Sequence, residues 1–141
     1  MKKIIIEGSA KFYNEVIEYK QELEKNNYMV INYPKKIDVT NENEYKKTFE
    51  NYYQDLDKSD DFLLLNLDKN GIKGYIGYES FAELVYVIVK NIKTNKNIHN
   101  IYILQMPSKE VGCYDEIVYF MKLGYIKLFE NKNIINSWIM K

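Results

Sequence analysis

Two stretches hold most of the side chains whose types and spacing could do chemistry. Asn66 and Asp68 stand at the exit of an apolar run, and Glu83 follows a stretch containing Gly71, Gly74 and Gly77. Glu83 has two readings. Ser80-x-x-Glu83 is the pattern of a capping box, in which the Ser80 hydroxyl bonds the N–H of Glu83 and the Glu83 carboxylate bonds back to the N–H of Ser80. The same carboxylate, in the first turn of a helix, is held ionised by the helix dipole. An ionised, oriented carboxylate is what nucleophilic catalysis requires.

Gly8-Ser9 is a second candidate site. Glycine lets the chain turn there and approach a ligand closely. Ser9 can cap the helix that follows, whose free N–H groups suit an anion, and Lys11 lies on the same turn. The alternative is a simple turn with an N-cap. Neither a P-loop nor a dinucleotide fingerprint is present. Tyr75 and Tyr78, between and after the later glycines, could stack on a ligand or pack locally in a surface loop. His99 lies in an Asn- and Lys-rich connection over 90–100, which implies a surface role. One His and one Cys at ordinary spacing make no metal site, so neither metal nor cofactor is expected. Cys113 follows Gly112 near a helix start, where a thiolate can be activated, but no histidine is placed to serve as its base.

The elements that position these residues alternate. An apolar β-branched run over 3–7 ends at Gly8-Ser9. Phe12, Val16, Tyr19 and Leu23 recur at helical spacing. Residues 28–32 read as a second strand, stopped by Pro34. Thr40 and Asn41 offer caps ahead of the helical stripe Tyr45, Phe49, Tyr52 and Leu56. Residues 61–66 are apolar almost throughout, as in a central strand covered on both faces. A loop over 69–78 leads to a third helix marked by Phe81, Leu84, Val85, Ile88 and Ile92. A fourth strand over 101–104, a fourth helix from Tyr114 to Met121 with Gly124 past its end, a fifth strand over 126–129 and a last helix over 131–140 complete the series. This alternation predicts an α/β protein with a parallel sheet. The simplest arrangement is a flavodoxin-like three-layer sandwich of strand order 2-1-3-4-5, whose ligands sit at the carboxyl ends of strands one and three.

Composition limits the partners. The chain has 141 residues, 20 acidic against 20 basic, and every basic residue is lysine. Zero net charge gives no footprint for nucleic acid. The absence of arginine removes the bidentate guanidinium clamp for phosphate or carboxylate. The length predicts one domain over 1–141. No apolar run is long enough for a membrane span, and the apolar start is too short for a signal peptide. The single cysteine fits a reducing, cytoplasmic setting.

Asn66-x-Asp68-Lys69-x-Gly71, followed by Tyr75-Ile76-Gly77-x-x-Ser80-x-x-Glu83, resembles the nucleoside 2-deoxyribosyltransferase-like family, and Gly8-Ser9-x-x-Phe12 is similar to that family's first strand-to-helix turn. The resemblance implies a small flavodoxin-like enzyme, without cofactor, that is homo-oligomeric (a dimer or larger). It would cleave the N-glycosidic bond of a deoxynucleoside or its 5′-monophosphate. By position, Glu83 would attack C1′ of the sugar. Asp68 would handle the proton of the leaving base, assisted by Asn66. Gly8, Ser9, Lys11 and Phe12 would line the sugar or 5′ end, and Tyr75, Gly77 and Tyr78 the loop over the substrate. The chain departs from the pattern at Tyr78-Glu79-Ser80, where Gly-Asn-Thr is usual, and at Leu84-Val85-Tyr86, where small residues usually follow the glutamate. Those departures support an alternative, a non-catalytic nucleotide-binding or interaction module on the same fold.

Overall fold

The computed structural model describes residues 1–94 and 99–129. Its order is β1 (Lys2–Glu7), a single 3-10 turn (Ala10–Phe12), α1 (Tyr13–Lys25), β2 (Tyr28–Asn32), α2 (Glu42–Leu56), β3 (Asp61–Leu64), α3 (Tyr78–Thr94), β4 (Asn100–Ile103), α4 (Tyr114–Lys122) and β5 (Lys127–Leu128). The five strands form one parallel sheet in the order β2-β1-β3-β4-β5. This is the flavodoxin-like α/β architecture expected from the alternation. The helix expected over 131–140 lies outside the described residues. No helix among the described residues is long and apolar enough to cross a membrane.

The apolar runs in the strands are explained by burial on both faces of the sheet. Ile5, Phe62, Leu64, Ile101 and Ile103 pack with Leu56, Leu84, Val87, Ile88 and Ile117 from α2, α3 and α4. Ile4, Ile6, Leu63 and Leu65 face the other way, against Val16 and Leu23 of α1. Because side chains alternate along a strand, Glu7 shares the face of Ile5 and points toward α2 and α3. That placement puts a carboxyl inside the sandwich.

Several local expectations are corrected. Asn41 caps α2, its side chain accepting from Glu44 N–H at 3.1 Å, whereas Thr40 turns to Asp38. Ser9 caps only the 3-10 turn, and α1 starts four residues later with no side-chain cap. The helix end expected at Ser9 is therefore not the N-terminus of α1. No capping box forms either. α3 starts at Tyr78, two residues before Ser80, so Ser80 and Glu83 both lie inside the helix. His99 is buried, at 3 % exposed, not on the surface. It is drawn against the turn between α2 and β3, where Nδ1 lies 3.0 Å from Ser59 Oγ. Burial lowers its pKa and keeps the ring neutral. Cys113 is half-buried and burial raises its pKa, opposite to the shift that activates a thiol.

Candidate functional site

A cavity of about 830 Å³ opens at the carboxyl ends of β1 and β3, the switch point of the sheet. Its walls come from the β1 exit (Glu7, Gly8, Ser9, Phe12), the segment after β2 (Tyr33, Lys35), α2 (Phe49, Tyr52, Asp55), the loop before α3 (Lys69, Tyr75, Gly77) and the first turns of α3 (Tyr78, Glu79, Ser80, Glu83). A crevice of this size can take a small polar ligand with one or two rings.

Glu83 is 4 % exposed, and its Oε2 is buried with no hydrogen-bond partner among the described residues. A buried carboxylate oxygen without a partner is costly, and such groups concentrate at functional sites. Three residues earlier on the same helix, the Ser80 hydroxyl donates to Glu7 Oε1 at 3.0 Å. Gly8 N–H donates to the same oxygen at 2.9 Å. The Tyr52 hydroxyl, which donates to Ile6 O at 3.1 Å, lies beside that carboxyl. Glu7 is 6 % exposed. Burial pushes its pKa up to about 7; Tyr52, Ser80 and the Gly8 N–H pull it back, and the charge of Glu79 adds to the rise.

Of the residues expected at the site, Glu83, Gly8, Ser9, Phe12, Tyr75, Gly77 and Tyr78 line the cavity. Tyr78 is 97 % exposed and sits at the rim, leaving the interior open. Lys11 is exposed and reaches Asn70 Oδ1 at 3.1 Å. Three lysines line the cavity, Lys35, Lys58 and Lys69, and of these Lys69 reaches the β1 exit, its Nζ 3.3 Å from Ser9 Oγ and 5.2 Å from the centre of the Tyr75 ring.

Asn66 and Asp68 hold the scaffold beside the cavity. Asn66 Nδ2 donates to Gln105 O and Gly74 O, and its Oδ1 accepts from the N–H groups of Leu104 and Gln105. Asp68 Oδ1 accepts from Gly74 N–H at 3.0 Å and from Gln105 Nε2 at 2.9 Å. The glycine at 74 is explained by the same packing. Its φ is +64°, and a Cβ there would lie 2.9 Å from Pro107 Cα. The loop thus presses on the chain after β4 at this point.

Glu7 was not among the expected site residues. The available signal was an acidic side chain at the end of an Ile run, in phase with inward-facing Ile5. What the sequence lacked was the partner, because Ser80 is 73 positions away. Together the fold and cavity define a flavodoxin-like α/β protein with a carboxyl-lined crevice at its switch point. No protein-family model matches this chain, nor does any curated protein or solved structure.

Proposed function

We propose that the protein cleaves or transfers the N-glycosidic bond of a (deoxy)nucleoside or its 5′-monophosphate, with Glu83 as nucleophile. The observation that carries this reading is the buried Glu83 carboxylate, with Oε2 unpartnered among the described residues, on the wall of the switch-point cavity. The resemblance of 66–83 to the deoxyribosyltransferase-like pattern supports it independently. In the reaction, a Glu83 oxygen forms a bond to C1′ as the bond from C1′ to the base breaks. Water or a second base then displaces Glu83 from C1′. Tyr75 and Phe12 offer aromatic faces to the base and sugar. Exposed apolar side chains, Ile92 on α3, Tyr119 on α4 and Leu123 just past its end, support a homo-oligomer.

The test is incubation with deoxynucleosides and their monophosphates, with and without a second base. Base exchange identifies a transferase, and release without an acceptor identifies a hydrolase. Glu83→Gln keeps the side-chain volume and removes the nucleophile, so it should abolish turnover in a folded protein. Full activity in that variant would sink the mechanism. A second reading, a nucleotide-binding module without turnover, is favoured by the commitment of Asp68 to Gly74 and Gln105. Binding of a nucleotide without product would select it.

A further inference from the structure

Cleaving a glycosidic bond to a purine leaves the electron pair on a base nitrogen, which departs far more easily if it takes up a proton. Asp68 is poorly placed to supply one. It is exposed and it is not part of the cavity wall. Asp55 lines the cavity but is engaged by Asn32 Nδ2 at 2.8 Å. Glu79 is exposed. Glu7 differs from all three, being a buried carboxyl in the cavity wall whose Oε1 accepts from Gly8 N–H and the Ser80 hydroxyl, with the Tyr52 hydroxyl beside it.

Building on the glycosidic reading above, we propose that Glu7 is the acid that protonates the departing base, with Ser80 as the positioning residue that holds it next to Glu83. Residues three apart on a helix are neighbours on its surface, with Cβ atoms about 5–6 Å apart. The bond from Ser80 to Glu7 therefore brings the Glu7 carboxyl to the helix face that carries Glu83. Two carboxyl groups with divided roles, one attacking and one donating, are what retaining glycosidic cleavage needs.

The step balances within the site. A Glu83 oxygen forms its bond to C1′, the electron pair of the C1′–N bond moves to the base, and the Glu7 proton transfers to a ring nitrogen of that base. When water or an acceptor base attacks C1′ in the second half, the Glu7 carboxylate takes the proton it loses. Both groups return to their starting states.

The environment supplies the proton at neutral pH. The groups facing Glu7 are Tyr52 and Tyr53 from α2 and Glu79 and Ser80 from α3, with Glu83, Asp55, Lys35, Lys58 and Lys69 elsewhere on the cavity walls. Burial raises the carboxyl to about 7, where an acid is part protonated and still able to give its proton up.

The experiment compares a purine deoxynucleoside with the deoxyriboside of nicotinamide, whose pyridinium base leaves without needing a proton. In the wild-type protein, kcat/KM for the purine should fall above about pH 7, while that for the pyridinium substrate should lack this limb. Glu7→Gln should remove the limb and cost the purine about 10²–10⁴-fold more than the pyridinium substrate. Equal pH profiles on the two substrates, or equal losses in Glu7→Gln, would overturn the assignment. The wild-type comparison decides the matter even if the variant does not fold. Turnover of neither substrate by the wild-type protein would remove the glycosidic reading itself, and the role of Glu7 with it.

Discussion

The Ser80 hydroxyl donates a 3.0 Å hydrogen bond to Glu7 Oε1, tying the first turns of α3 to the end of β1. This bond favours the ionised carboxylate and so holds the Glu7 pKa below the value that burial alone would set. Ser80→Ala should therefore move the Glu7 titration upward, readable in carbon-13 spectra of the glutamate carboxyls. The same change should cost about 1–2 kcal/mol of stability in urea unfolding at a pH where Glu7 is charged. A downward shift would show that Ser80 is not the donor.

Glu7 also sets a pH dependence of folding. Its folded pKa, about 7, lies above its ordinary 4.5. Between those values the folded state holds a proton that the unfolded state has released, so stability falls as pH rises through this window and levels off above it. The full loss is on the order of 3 kcal/mol. Neutral, buried His99 acts in the opposite direction, because its lowered pKa costs stability as pH falls below the ordinary histidine value. The contribution of Glu7 is therefore best read as the difference between wild type and Glu7→Gln. The variant should gain in melting temperature relative to wild type from pH 5 to 8. A constant difference across that range would contradict a raised Glu7 pKa.

The contrast between Glu7 and Glu83 shows what was legible in the sequence. Strand and helix order, the parallel sheet and the switch point all followed from apolar periodicity, which is a local property. The site residues near Gly8 and Glu83 followed from the switch point. The capping box did not form because Tyr78 and Glu79 take helical geometry ahead of Ser80, with Phe81 N–H bonding Gly77 O at 3.0 Å. That frees the Ser80 hydroxyl for a partner on β1. His99 was misplaced for a similar reason. Its neighbours in the chain are polar, but its ring meets Ser59, 40 positions away. Contacts across such separations leave no periodic trace.

Asp68 offers a direct test between a proton-handling role and a structural one. Asp68→Asn keeps an oxygen that can accept from Gly74 N–H and Gln105 Nε2, whereas Asp68→Ala removes it. If the side chain is structural, Asp68→Asn should retain most of the turnover. Asp68→Ala should lose about 1–3 kcal/mol of stability, with weaker activity following from a displaced loop. Loss of turnover in Asp68→Asn with unchanged stability would return the acid role to Asp68. The urea midpoint and kcat, measured on both variants, separate the outcomes.

Lys69 carries the last prediction. With no arginine in the chain, a 5′-phosphate at this cavity would depend on lysine, hydroxyl and backbone donors. Lys69 Nζ lies 3.3 Å from Ser9 Oγ, and both residues line the cavity, whereas Lys11 points away to Asn70. One partly exposed ammonium near a phosphate should contribute about 1.4 kcal/mol, or tenfold in affinity. Lys69→Met should raise KM for a deoxynucleoside monophosphate by about that factor and leave the uncharged nucleoside nearly unaffected. Added salt should weaken the monophosphate in the wild type and less in the variant, because one of the attractions that salt screens has been removed while Lys35 and Lys58 stay on the cavity wall. An equal rise in KM for both substrates would mean that Lys69 acts through its contact with the Tyr75 ring, shaping the wall of the cavity without holding a charge.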